Sequence, residues 1–489
     1  MTAARKIAAN TMYRAVADLG SKVATVALFV VMARKLGEAH FGVFTFALSF
    51  VTLVTVLADF GQNTVLTREV AREHSEVNRY FANNVVLQIA LALPAVAVAF
   101  AVVAAGGRDR ETQLVVLLLG LAMIAEVLRG TCFAVFEAYQ RLVFVPIALI
   151  SQRLVTSVAG IVALFSGAGV VTVAAIYLAA ALLAFALALG LMFRYVVRPR
   201  LRVTPALWKP LMRAAIPVGL AGVFGTVLFR VDTAMLAAFK SKEIVGDYGA
   251  AYRLFESTLF IGWAVGAAIY PVYSQLTAHT TPSLGAVLER TLKLVFVLAL
   301  PVGLVAVVLA RPAIHLFYGS AYDPAIRAFQ LLAPAIALYP VAYLAGLLLV
   351  ARHRQRLMTA IMGVVAIENI AANFLLIPRL SLDGAALGTS ISQVLVTVPL
   401  LLAARREVEH LHWWRMLGGA AVATGAAAVA MTLLRGSPVV ALLAGAAIYL
   451  ATLFGFERTL FPDEARALLE LARRPAAIQE PPPAPGNVG

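Results

Sequence analysis

The chain has 489 residues, 62% of them hydrophobic and only 13% charged, with a formal net charge of +15. Soluble globular domains are about half apolar and a quarter charged, and transmembrane barrels alternate polar and apolar residues; here the apolar runs are unbroken for about twenty residues. Both classes are excluded, and the composition is that of an all-α polytopic membrane protein. The single cysteine, Cys132, rules out an intrachain disulfide and a cysteine-based metal cluster. No metal, cofactor or nucleic-acid partner is expected. The first apolar segment is too long and too charged for a cleavable signal peptide.

Divided at polar loops, Pro/Gly clusters and charge runs, the sequence predicts about fourteen spans. They cover 10–35, 41–64, 82–105, 113–137, 144–166, 171–193, 211–236, 245–270, 290–310, 325–350, 357–377, 384–404, 414–434 and 438–457. Each suits a hydrocarbon core roughly 30 Å thick at 1.5 Å rise per residue. An even count puts both termini on one side. With the N-terminus inside, most basic residues fall inside: Arg5 and Lys6; Arg68, Arg72 and Arg79; Arg141; Arg194 to Arg213; Arg352, Arg354 and Arg356; Arg405, Arg406 and Arg415; and Arg458 to Arg474. The sequence thus predicts that both termini are cytoplasmic.

The basic connection from Arg194 to Arg213, with Trp208 suited to the interface, divides the chain and should meet anionic lipid headgroups. Two weak repeats support the division. Leu36-Gly37 through Phe41-Gly42-Val43-Phe44 can be laid on Lys240 through Val245-Gly246-Asp247-Tyr248, and Gln140-Arg141-Leu142 resembles Gln355-Arg356-Leu357. The expected organisation is an N-lobe over 1–195, a linker over 196–210, a C-lobe over 211–406, two further helices over 407–458 and a tail over 459–489. Parallel halves of this kind occur in transporters whose lobes rock about a central site. Phe461 to Arg474 could form a surface helix, and the proline-rich end from Glu480 is expected to be disordered. Prolines inside spans (Pro94, Pro217, Pro301, Pro334, Pro340, Pro399) are candidate hinges.

Charges inside apolar spans carry the functional reading, because each costs about 2.5–3.5 kcal/mol near the bilayer centre unless it faces protein or water. Arg14, Asp18 and Lys22 share one stripe of the first span at four-residue spacing, with a net positive charge. Glu126 and Arg129 are expected to pair at i,i+3, and Arg253 and Glu256 are spaced likewise. Arg230 and Asp232 point to different faces, and neither Arg230 nor Arg153 has a partner in its own helix. Lys22, Arg153, Arg230 and Arg253 are therefore the candidates for binding an anionic group, arginine bidentately and lysine as a point charge. Tyr248 and Tyr252 form an i,i+4 pair suited to stacking on a substrate ring or to packing in the core. Asp59, with Gln62 and Asn63, ends the second span and is expected to have a structural role near the headgroups. Glu368, Asn369 and Asn373 give the eleventh span a polar face suited to a coupling proton or Na⁺, or to interhelical hydrogen bonds.

A family resemblance runs along nearly the whole chain. It is carried by Asp18 and Lys22, Ala33-Arg34-Lys35-Leu36-Gly37, Phe41-Gly42-Val43-Phe44 and Ala58-Asp59-Phe60-Gly61. The second half adds Val245-Gly246-Asp247-Tyr248, Ala250-Ala251-Tyr252-Arg253-Leu254 with Glu256, then Asn369, Asn373, Leu376-Ile377-Pro378, Gly384-Ala385-Ala386 and Gly388-Thr389. The pattern resembles the Wzx-like oligosaccharide flippases of polysaccharide biosynthesis, whose superfamily includes multidrug exporters and the lipid II flippase. The resemblance implies two six-helix lobes in a V around a central cavity, lined by the first, second, seventh and eighth spans. It further implies alternating-access transfer of a polyprenyl-diphosphate-linked oligosaccharide between leaflets of the cytoplasmic membrane, with a polysaccharide polymerase as a downstream partner. A multidrug or cation exporter, or a lipid II flippase, is the alternative within the fold. A membrane polymerase or ligase would be expected to carry a long outer loop, and none is predicted.

Overall fold

The computed structural model describes residues 3–200, 202–276, 281–408 and 411–461, without the side chains of residues 3–19, 271 and 281–283. Most of the surface helix and the tail expected at the C-terminus lie outside these residues. The described chain is helical, with no strand. In order it forms α1 (Ala3–Asp59), α2 (Gln62–Arg72), α3 (Val77–Ala105), α4 (Arg110–Ala138), α5 (Phe144–Phe165), α6 (Val170–Tyr195), α7 (Trp208–Phe239), α8 (Lys242–Thr258) and α9 (Phe260–Leu276). There follow α10 (Thr281–Val308), α11 (Ala310–Phe317), α12 (Pro324–Leu331), α13 (Ala333–Ala351), α14 (Gln355–Leu380), α15 (Leu382–Arg406), α16 (Trp413–Leu433) and α17 (Pro438–Leu460).

Helix α1 is two crossings, not one. Gly37 breaks it at φ +76°, a left-handed value that glycine adopts without a Cβ clash. The chain folds back there, since the Phe29 ring packs against both Phe41 and Phe44. Thirteen helical stretches among the described residues are long and apolar enough to cross a membrane, the first of them running through this break. Counting its two arms separately gives the expected fourteen crossings of a multi-pass membrane protein. The eighth crossing continues from α8 into α9 and the tenth from α12 into α13.

In the N-lobe α4 and α5 pack on α6, α3 on α4, and α1 on α5; in the C-lobe α13 and α14 pack on α15, and α10 on α13. Helices α16 and α17 pair with each other and lean on α10. The lobes meet where α1 runs along α7 and α8. At the end of the bundle that carries the Gly37 break (the hairpin end), one large apolar core joins both lobes, from Met32, Phe41 and Phe44 across to Tyr248, Phe255, Tyr318 and Tyr322. At the end that carries the α6–α7 connection (the linker end), the joining cluster is small: Val65, Leu87, Leu211 and Ala215.

Glycines let the backbones touch at both ends. A Cβ at Gly42 would overlap the Lys242 carbonyl, and one at Gly246 the Glu38 carbonyl; at the linker end, one at Gly219 would overlap the Phe60 carbonyl. Polar ties reinforce the hairpin end. Arg34 donates to the carbonyls of Leu316 and Phe317, satisfying the last turn of α11, and the Tyr322 hydroxyl donates to the Ala33 carbonyl. Arg108 donates to the Ala237 carbonyl, and Lys242 pairs with Asp109 at 2.6 Å. Partial burial works against the Asp109 carboxylate, but its bonds from Lys242 and Thr112 outweigh this and hold its pKa below the ordinary value.

Close backbone approach has a measurable consequence. Gly42→Ala forces α1 off α8 and is expected to cost about 1–3 kcal/mol, as overpacking does. Gly190→Ala, where a Cβ meets nothing within 4 Å, is expected to be neutral. Thermal unfolding of the purified variants in one detergent checks both.

Candidate substrate cavity

The charged centre lies where α1 meets α7 and α8, and its core is a triad that sequence spacing only half predicts. Glu256 accepts from Arg253, one turn earlier on α8, at 2.5 Å, and from Arg230 of α7 at 2.8 Å. Arg230, which has no partner in its own helix, thus finds one across the helix boundary. One carboxylate faces two guanidiniums, so the triad keeps one net positive charge. The three side chains are 13–21% exposed, so bulk water does not screen them as it would surface groups. Arg253 also stacks over the Phe29 ring of α1 at 4.0 Å from its centroid, the cation–π contact that ties the triad to the N-lobe.

Two further predicted cations stand beside the first crossing. Lys22 lies over the Trp263 ring of α9, 5.8 Å from its centroid, and Arg153 of α5 donates to the Ser21 hydroxyl at 3.4 Å. Ser21 and Lys22 sit about 10 Å along α1 from Phe29, at 1.5 Å rise per residue. The structure therefore strings Lys22, Arg153, Arg230 and Arg253 along one arm of α1. The side chains of Arg14 and Asp18 lie outside the described residues.

One expectation needs correction. The Glu126–Arg129 pair does not form: Glu126 accepts instead from Gln152 at 2.6 Å and Tyr177 at 3.1 Å, and Arg129 lies over the Phe133 ring. Asp59 takes the structural role expected of it. With Asn63 it anchors a buried network, accepting from Gln88 while Asn84 and Thr131 donate to Asn63. Tyr248 and Tyr252 are buried in the core in this conformation, 0% and 3% exposed, and the Tyr252 hydroxyl is spent on the Phe229 carbonyl.

A second polar cluster, inside the C-lobe, gathers Glu368, Asn369 and Asn373, the residues expected either to couple an ion or to hydrogen-bond between helices. Asn373 donates to Asn369 at 3.1 Å, Asn369 to Ser392 at 2.9 Å and Ser392 to Glu368 at 2.8 Å. One helix over, Asp232 is fully enclosed and accepts from Tyr248, from Thr389 at 3.0 Å and from the Thr233 amide at 2.7 Å. The buried Asn373 Oδ1 has no hydrogen-bond partner and points at Gly388, next to Thr389. The sequence reading left Asp232 and Thr389 out of this cluster; Thr389 stood in the Gly388-Thr389 motif, but nothing local linked it to α7.

Fold and composition together define a two-lobed, multi-pass helical membrane protein with a charged triad where α1 meets α7 and α8. The chain belongs to the polysaccharide biosynthesis protein family, whose model matches residues 7–277; a MatE model matches residues 217–375. It is 31% identical over 233 residues to the probable flippase AglR of Haloferax volcanii, a match covering 45% of this chain and 48% of that one, about half its length. It is 21% identical over 374 residues to the probable low-salt glycan biosynthesis flippase Agl15 of the same organism, covering 75% and 76%. Among solved structures, the lipid II flippase MurJ in an inward closed conformation aligns with a TM-score of 0.78 at 13% identity, over 92% of this chain and 99% of that one. An inward-facing multidrug resistance MATE family transporter aligns with a TM-score of 0.66 at 14% identity, over 79% and 94%. At such identities the likeness shows the shared fold.

The triad makes a stability prediction. Glu256→Gln leaves two enclosed guanidiniums without a counter-charge and is expected to cost about 3–5 kcal/mol. Asp109→Asn breaks a pair whose members are 34% and 43% exposed and is expected to cost about 1 kcal/mol or less. Chemical denaturation of both variants in matched micelles decides whether the ranking holds.

Proposed function

We propose that the protein is a flippase that carries a polyprenyl-diphosphate-linked oligosaccharide from the cytoplasmic to the outer leaflet, by alternating access of its two lobes. The observation that carries this reading is the Arg230–Glu256–Arg253 triad with its residual positive charge, set at the lobe interface beside Lys22 and Arg153. A diphosphate is the lipid-linked group that such a cluster suits, and guanidiniums hold its oxygens bidentately. Family membership and the two flippase relatives point the same way. No bond is made or broken in this reading, so the protein acts as a transporter and not as an enzyme.

The orientation follows from the basic segments, which place both termini and the α6–α7 connection on the cytoplasmic side. The hairpin end then faces outward. Moving negative charge outward is favoured by an inside-negative potential, at about 2.3 kcal/mol per charge per 100 mV. The C-lobe cluster around Asp232, Asn369, Asn373 and Thr389 offers carboxylate, amide and hydroxyl oxygens, the donor set of a small hard cation or a proton. We assign ion coupling to that cluster, with Glu368 at its margin through Ser392. The linker-end arginines from Arg194 to Arg213 are assigned to anionic lipid headgroups.

Charge-neutral Arg230→Gln and Arg253→Gln are expected to abolish glycan export while membrane insertion, read by a topology reporter, stays intact. Normal export by both variants defeats the cation-capture reading. Asp232→Asn is expected to remove the dependence of export on the ion or proton gradient, measured in proteoliposomes with and without an imposed gradient.

A further inference from the structure

Arg129 is buried, 7% exposed, on α4 among apolar and small residues. Its Nε and Nη1 are shielded from solvent and have no hydrogen-bond partner, and among the described residues it makes no ion pair. The expected partner, Glu126, is engaged by Gln152 and Tyr177, and the Phe133 ring covers one face of the guanidinium without satisfying its edge. A buried guanidinium left unbonded forfeits several favourable contacts and is retained at a cost. The side chain lines a cleft of about 520 Å³ between α1, α4 and α7, bounded on the C-lobe side by Gly219, Gly222 and Thr226. Asp59 and Glu126 also line it, and both already hold their own donors.

The cleft is a different level of the cavity from the triad. Arg129 stands about 13 Å from the linker end of α4, whereas Arg230 stands about 13 Å from the hairpin end of α7, at 1.5 Å rise per residue. Phe60 and Gly219, in contact across the lobes, also line the cleft. We propose that Arg129 is a second anion-binding residue, an entry station that takes a diphosphate just inside the linker-end gate before the triad receives it. This rests on the flippase reading and adds a separate site to it. The ligand chemistry is a diphosphate, attached to a polyprenyl lipid or free.

The test uses the full chain in nanodiscs, titrated with inorganic pyrophosphate in one arm and with undecaprenyl diphosphate in the other. Arg129→Gln is expected to weaken diphosphate binding at least tenfold, and Arg129→Lys to restore part of it, because a lysine keeps the charge and loses the fork. Gly222→Leu tests the same cleft without touching the arginine: a Cβ at Gly222 meets nothing within 4 Å, so the added side chain fills open space and is expected to weaken binding similarly. Should Arg129→Gln fail to fold, Gly222→Leu and Arg129→Lys decide the matter. Binding of the lipid form identifies a headgroup station, and binding of pyrophosphate alone identifies a free-anion site. Unchanged affinity in Arg129→Gln and Gly222→Leu overturns the station while leaving the triad and the flippase reading standing. No diphosphate binding by the unsubstituted chain overturns both.

Discussion

A positive charge enclosed among apolar helices must be balanced where it stands, and the arrangement of α1, α7 and α8 follows from that requirement. Two guanidiniums share the single carboxylate of Glu256. Had each found its own acid, the centre would be neutral and inert toward an anion. Had Glu256 been absent, two like charges would have stood together in a poorly screened site. The intermediate arrangement is stable enough to fold and still holds one uncompensated charge. Phe29, packed under Arg253, keeps that charge at the face shared by the two lobes.

The seals at the two ends of the cavity differ in strength. At the hairpin end the joining core is broad, and Arg34, Arg108, Lys242 and Tyr322 add polar ties. The linker end has one small apolar cluster and the glycine contact of Phe60 with Gly219. Apolar area contributes roughly 25 cal/mol per Å², so parting the linker end removes the smaller share of interlobe burial. The conformation described is therefore one in which the linker end is poised to open first. In the proposed orientation the linker end is the cytoplasmic end, the side from which the proposed cargo is taken.

Much of this was legible in the sequence, and the boundary of what was not is physical. Spans and their alternation are set by hydropathy and by Lys/Arg placement, both local properties, and they emerge as the fourteen crossings. The Gly37 break was legible as a polar loop between spans. Pairing was less so, because an i,i+3 spacing states only that two side chains can meet. Arg253 and Glu256 do meet. Glu126 and Arg129 do not, since Gln152 and Tyr177, from two other helices, reach the carboxylate instead. The Arg230–Glu256 and Tyr248–Asp232 contacts join the consecutive helices α7 and α8, and the Thr389–Asp232 bond joins helices far apart in the chain; no local pattern encodes any of them.

In the flippase reading, the division of charge between the lobes bears on how cargo is held. Arg230, Glu256 and Arg253 belong to the C-lobe, while Lys22 and Arg153 belong to the N-lobe. A diphosphate placed at the triad would meet its residual positive charge and bring negative charge to the N-lobe face. The electrostatics that would select the headgroup would also draw the lobes together around it, so binding and closure become one event. The apolar tail needs no place in this balance, because lipid already surrounds the helices where the lobes meet.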